Sequence, residues 1–136
     1  MAGAAWALQT AIHQKLTADQ AVLALLGGPN VWDHVPRGAA YPCVTFGVSS
    51  ERDWSTGTED GGEHIFTLHV WSRMAGRHEV DSITTAVRAV LHDEPLALVN
   101  HRLVNLRFEF SDARRDAQDE MYHGIIRLRA VTEPQP

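Results

Sequence analysis

The sequence predicts an α+β domain: a mainly antiparallel sheet of about four strands with helices packed on one face. Three observations predict it. Residues His64 to Trp71 alternate, with Phe66, Leu68 and Val70 on one side of a strand. Directly afterwards Val80, Ile83, Ala86, Val87, Val90 and Leu91 recur at helical spacing and define one buried stripe. Two further alternating runs, Val99 to Phe110 and Met121 to Thr132, close the chain across a charged connection, SDARRDAQDE. Strands joined by short polar segments pair antiparallel.

The first element is a helix over roughly Ala4 to Leu16, with Ala5, Leu8, Ile12 and Leu16 on one stripe and Trp6 beside it. Thr17-Ala18-Asp19-Gln20 has the form of a capping box, with Thr17 as N-cap, and starts a short helix to Leu26. Gly27-Gly28 ends it. Val31 to Val35 is a short strand or extended passage, bounded by Pro36-Arg37-Gly38, and Pro42 opens a longer strand from Cys43 to Ser50. Arg52 to Gly62 is polar, glycine-containing and aperiodic, as expected of an exposed hairpin tip. The strand from His64 ends at Arg73, the turn Met74-Ala75-Gly76 redirects the chain, and Pro95 bounds the long helix. In the next strand Val104, Leu106, Phe108 and Phe110 share a face, opposite Asn105, Arg107 and Glu109. In the last strand Tyr122, Gly124, Ile126, Leu128 and Ala130 oppose His123, Ile125, Arg127 and Arg129. The chain is one domain over 1–136, with 133–136 expected as a flexible tail.

At 136 residues and 44% hydrophobic content the chain has material for one core. A net charge of −5 argues against tight nucleic-acid binding, which needs a concentrated basic surface. Cys43 is the only cysteine, so no internal disulfide forms, and the chain fits a reducing cytoplasm. The N-terminal stretch lacks a basic leader and a continuous apolar run, and no segment approaches membrane-spanning length.

Catalytic and metal-binding patterns are absent from the sequence. The histidines do not fall at ligand spacing; His64 and His69 lie on opposite faces of one strand. There is no HExxH, P-loop, dinucleotide fingerprint or GxSxG elbow, and Cys43 reads as a small buried hydrophobe. No cofactor is expected and the chain is not expected to be an enzyme.

Four phrases carry a resemblance. They are VWDHVPRGAAYPCVTFG (Val31 to Gly47), EHIFTLHVWSR (Glu63 to Arg73), HRLVNLRFEFSDARRD (His101 to Asp116) and YHGIIRLRAVTE (Tyr122 to Glu133). In this order they resemble the tail terminator, or tail-completion, proteins of long-tailed siphophages and gene transfer agents. The resemblance implies a structural protein that assembles into a hexameric ring at the head-proximal end of the tail tube. It implies the major tail tube protein and a head-side stopper or connector as partners, and DNA in transit through the lumen without specific binding. It implies location in the neck of a virion or gene transfer agent particle, built in the bacterial cytoplasm, without membrane contact.

A ring needs heterologous contact, so a subunit should carry apolar surface beyond its own core. Ile65 and Trp71, on the second face of the central strand, and Ile125 on the last strand are candidates, with Trp6 and Trp32 as aromatic anchors. Each has an ordinary alternative as a core or isolated surface residue. The loop bearing Arg52, Asp53, Trp54, Glu59 and Asp60 is the candidate for docking on the tube, as a flexible segment that orders when its partner arrives. Its alternative is a solvated hairpin tip. Arg107, Glu109, Arg127 and Arg129 are candidates for ion pairs between subunits or for the lumen; a solvated sheet face is the plainer reading. Other functions compatible with the sequence are a head–tail stopper or neck protein, and a stand-alone small-molecule-binding module or small enzyme.

Overall fold

A computed structural model describes residues 3–73, 76–118 and 120–135. The elements, in chain order, are α1 (Ala4–Ala18), α2 (Gln20–Leu26), β1 (Val31–Trp32), β2 (Cys43–Asp53), β3 (Gly62–Ser72), α3 (His78–Leu91), β4 (Ala97–Leu98), β5 (His101–Asp116) and β6 (Met121–Pro134). The strands form one six-stranded sheet, β1-β2-β3-β6-β5-β4, antiparallel except between β1 and β2. The expected sheet of about four strands therefore corresponds to the four long strands. Of the two-residue border strands, β1 falls within the short strand or extended passage expected at Val31 to Val35, whereas β4 is too short to show a period and escaped the sequence reading.

The alternation in β3 sets the layers. Phe66, Leu68 and Val70 lie opposite Leu128, Ile126 and Gly124 of β6. They share one buried cluster with Leu8, Ile12 and Leu16 of α1, Val22 and Leu26 of α2, and Val80, Ile83, Val87 and Leu91 of α3. All three helices thus cover this face. Burying a Leu or Ile such as Leu68 or Ile126 contributes about 1.5–3 kcal/mol, and both are fully buried. Gly124 leaves the gap into which Val80 of α3 fits: a Cβ there would stand 2.6 Å from Val80 Cγ1.

The ends of the helices are fixed by specific bonds. The capping box expected at Thr17 is not formed, because α1 runs on through Ala18. The Thr17 hydroxyl donates back to His13 O at 2.8 Å, and Asp19 is the N-cap of α2, accepting from Val22 N–H at 3.0 Å. Gly27 (φ +76) closes α2, with the N–H groups of Gly27 and Gly28 both donating to Leu23 O. Glu79 and Asp81 lie in the first turn of α3, where negative charge is favoured. The Ser72 hydroxyl at the end of β3 donates to Glu79 at 2.6 Å, which ties that helix start to the sheet. The expected turn at Met74 and Ala75 lies outside the described residues.

The closing hairpin is longer than its period indicates. β5 continues through Asp116, so most of the expected charged connection is paired strand; Asp119 lies outside the described residues. β6 continues through Pro134, with Glu133 opposite Arg102 and ion-paired to it, where a tail was expected; Pro136 lies outside the described residues. Irregularities between Leu103 and Asn105 and between Phe108 and Phe110 interrupt the alternation of β5. Phe110 consequently falls opposite Arg127, on the other face from Phe108, and the expected single apolar face of this strand is split.

The open sheet face as candidate functional site

The face of the sheet away from the helices is built from every second residue of the long strands. β3 presents Glu63, Ile65, Thr67, His69 and Trp71, and β6 presents Val131, Arg129, Arg127, Ile125 and His123 opposite them. β2 adds Thr45, Ser50 and Arg52, and β5 adds Arg107, Phe110, Asp112 and Arg114. Nothing among the described residues packs across this face as the helices do across the other.

Its centre is a shallow groove of 580 Å³ lined by Val48, Ile65, Thr67, Ile125 and Arg127 among others. Ile65 and Ile125 are half-buried, and Val48 is 78% exposed. Two of the expected apolar contacts therefore lie in one groove, and Trp71 lies beside it on the same face. The second face of β3 carries surplus apolar surface, as its alternation implies.

Below the groove is an aromatic cluster that sequence spacing did not reveal. His69 Nδ1 and His123 Nε2 stand 2.6 Å apart. Trp71 stacks on His123 with ring centroids 4.0 Å apart and planes 5° from parallel. The Trp71 indole N–H donates to Thr45 Oγ1 at 3.0 Å. His69 also lies against Gly47, where a Cβ would meet its ring at 2.3 Å, so the ring packs directly on backbone. Burial lowers the pKa of both histidines, and for His123 the charge of His69 lowers it further. A contact this short needs a proton on one of the two facing nitrogens, and two positive charges at this distance are opposed. The signal was present in the hairpin register, since His123 falls opposite Trp71 and His69 opposite Ile125. Residues far apart in sequence meet only once that register is known.

Above the groove, Glu63 links two arginines. It accepts from Arg129 Nε at 2.7 Å and stands 2.6 Å from Arg52 Nε. Hydrogen bonding to Arg129, with the charge of Arg52 in support, holds the Glu63 carboxyl below its usual range. Both guanidinium groups also lie over the Trp54 ring, at 5.9 Å for Arg52 and 5.1 Å for Arg129. Trp54 is thereby fastened to the sheet rather than loose in its loop. Arg127 lies over Phe110 at 5.4 Å, and Arg107 reaches Asp93 at 4.0 Å. Glu109 is exposed on the β5 edge.

The loop expected at Arg52–Gly62 is shorter. Arg52 and Asp53 belong to β2, and the hairpin tip spans 54–61, with Glu59 and Asp60 exposed. It is held by its own hydrogen bonds: Trp54 N–H to Gly61 O at 2.9 Å, Thr56 N–H to Glu59 O at 2.7 Å, and the Ser55 hydroxyl to Asp53 at 2.5 Å. The Ser55 bonds hold the Asp53 carboxyl below its usual range. A tip ordered in this way carries less of the entropic cost expected for a flexible loop.

Trp6 is not part of the open face, whereas Trp32, paired with Thr45, takes the open-face parity at the sheet border. Trp6 is on α1, in the helix layer, and is 56% exposed. Trp32 is half-buried in β1 at the sheet border; its indole nitrogen is buried and meets no hydrogen-bond partner among the described residues. Cys43 is buried, which pushes its thiol pKa up. Among the described residues, no three His, Cys, Asp or Glu side chains are arranged to hold a metal ion. Among the described residues, no helix is long and apolar enough to cross a membrane.

A family model described as "Tail completion protein gp17" matches residues 10–133. The chain belongs to the tail completion protein family. Among solved structures, a chain from the "Virion of native gene transfer agent (GTA) particle" is similar at 34% identity. That similarity covers 98% of this chain and 99% of the other, with a TM-score of 0.89. No curated protein matches. The match extends from α1 through the last strand, so it includes both the helix layer and the open face.

Proposed function

We propose that this tail-completion protein is a structural part of a phage or gene transfer agent particle. It forms a ring on the head-proximal end of the tail tube, stops tube polymerisation there, and presents its other side to the head connector. DNA crosses the ring without specific contact. The observation that carries this reading is the two-sided sheet: helices cover one face, while Ile65, Ile125 and Trp71 remain only half-buried on the other, which no helix of the described chain covers. Such surplus apolar surface is what a subunit needs for contact with copies of itself. Family membership, and likeness to a chain from a gene transfer agent virion, support the same role.

The hairpin tip at 54–61 is the surface proposed to meet the tube. It projects beyond the sheet and is stiffened by its internal bonds and by the two arginines over Trp54. Arg107 and Arg127, with Glu109, lie on the open face or its edge, where they are proposed to pair with a neighbouring copy or line the lumen. The role needs no bond-making chemistry, only fitted surfaces.

Native mass measurement of the chain with tube protein tests this directly, beside electron microscopy of particles lacking the gene. The expected result is a closed oligomer on tube ends, and tails of uncontrolled length without it. A chain that stays monomeric in the presence of tube ends, with normal particles after deletion, would refute it. A ring that binds the head connector and ignores tube ends would identify a head-side stopper instead.

A further inference from the structure

The six-stranded sheet ends on each side in a long strand that is only partly covered. On one side β1 pairs with β2 at Val44 and Thr45. From Gly47 to Asp53, β2 is exposed and has, among the described residues, no strand or backbone hydrogen bond on its outer side. On the other side β4 pairs with β5 at His101 and Arg102. Asp93 N–H then donates to Leu106 O at 2.8 Å, and Phe108 N–H donates to His92 Nδ1 at 2.9 Å. From Glu109 to Arg115 the outer side of β5 has no comparable cover among the described residues. The two uncovered stretches are equal in length. An open edge of this kind is a template for another strand, and native proteins normally shorten or cover it.

We propose that the uncovered stretch of β2 in one copy pairs antiparallel with the uncovered stretch of β5 in the next, joining the sheets of successive copies edge to edge. This rests on the ring reading and adds the means by which the ring closes.

Direction is the first argument. The β2–β3, β3–β6 and β6–β5 pairs are all antiparallel, so β2 and β5 run in opposite directions. Rotation about an axis running with the strands preserves those directions. β2 of one copy then meets β5 of the next as an antiparallel pair, and the contact is heterologous, as a ring requires.

Side-chain parity is the second. Full overlap of the two stretches places Ser50 opposite Asp112 and Arg52 opposite Phe110. Ser50, Arg52, Asp112 and Phe110 all belong to the open face, as their partners Ile65, Glu63, Ile125 and Arg127 show. The open faces of the two copies therefore become continuous.

Stagger is the third. Within one copy Ser50 lies level with Arg107, through Ile65 and Arg129. Placing Ser50 opposite Asp112 of the next copy moves that copy along the strands from the level of Arg107 to that of Asp112. One residue is taken up by the β5 irregularity, so the step is the four β6 positions from Arg129 to Ile125, roughly 13 Å of strand across roughly 19 Å for four strands. The ratio gives a strand tilt of about 35°, at the lower end of the range of closed barrels. The irregularities in β2 between Phe46 and Ser49 and in β5 between Phe108 and Phe110 lie at the ends of the uncovered stretches. Bulges there bend a sheet, which closure needs.

The test is a double variant, Ser50→Cys with Asp112→Cys, replacing the native chain in particles; Cys43 is buried and stays out of reach. Oxidation followed by a non-reducing denaturing gel reads the contact, with native mass in parallel. The expected result is a ladder of covalent multimers. A mixture of the two single variants gives covalent dimers, and neither alone gives any. Ser50→Cys with Ala113→Cys, which points to the helix face, gives none. Rings by native mass without a ladder would overturn edge pairing and leave the ring reading intact. Covalent dimers from Ser50→Cys alone would show β2 pairing with itself and would also overturn it. Absence of any ring removes both.

Discussion

Gly124→Ala tests whether α3 is clamped on one face of the sheet, the arrangement that leaves the other face free. The added methyl would stand 2.6 Å from Val80 Cγ1 and 3.3 Å from Val70 Cβ. Neither neighbour yields easily. Val80 and Val70 are buried, and a β-branched side chain on a helix has one favoured rotamer. Overpacking of this kind costs about 1–3 kcal/mol, and the short contact to a stiff neighbour places Gly124→Ala in the upper part of that range. Val80→Ala alone removes two buried carbons, about 1.6 kcal/mol at 0.8 per methylene, with a further cost for the cavity. The new methyl at position 124 partly fills that space. The double variant is therefore expected to be more stable than the sum of the singles predicts, by about 1 kcal/mol or more. Urea unfolding followed by circular dichroism measures all four proteins. Additive losses, or a Gly124→Ala protein as stable as the parent, would show that α3 does not sit on β6 at this point. Because position 124 is on the helix face, ring formation by the folded fraction of Gly124→Ala should equal that of the parent.

Other perturbations act on the open face. Trp71→Glu should leave the circular dichroism spectrum native but abolish assembly into particles; loss of the fold would make Trp71 a core residue instead. Replacing 54–61 with a short turn should preserve folding and yield heads without attached tails or tails of irregular length, and normal particle yields would remove the docking role of the tip. Stability should fall as pH drops below about 6.5, the ordinary histidine value, because burial lowers the folded-state pKa of His64, His69 and His123. The sign follows from proton uptake: between the lowered folded values and 6.5 the unfolded chain binds more protons than the folded one, so acidification favours unfolding. His69→Gln with His123→Gln should flatten that dependence in urea titrations at successive pH values, and an unchanged slope would refute the contribution of this pair.

The sequence disclosed most where one period ran unbroken. β3 and α3 each repeat cleanly, and both their extents and their buried residues follow from the pattern. The surplus apolar positions of β3 could be named for the same reason: Ile65 and Trp71 stand on the polar parity of an otherwise regular strand. β5 disclosed less. Two register shifts move residues between faces, so Phe110 reads as core by parity but lies beneath Arg127 on the open side. The charged residues Asp112 to Asp116 read as a connection because they have no apolar partner face, yet they are paired strand. The border strands β1 and β4 are too short for a period of any kind. The His69–His123 contact depended on hairpin register, which no local pattern contains.

These failures have a common physical origin. Alternation is legible where a strand is paired on both sides and covered on one, because burial then selects each side chain. β3 is flanked by β2 and β6 along its length, and its burial alternates almost perfectly. The second half of β2 and of β5 is paired on one side only, and there the chain carries bulges, charges and exposed valine or phenylalanine without a period. A segment whose packing is incomplete within one chain has no reason to show the pattern of a complete one. In an ordinary monomer such edges would be short or covered. The proposed pairing with a neighbour on either side would account for their persistence on both borders of one sheet, and it is the segments least legible in this sequence that would meet it.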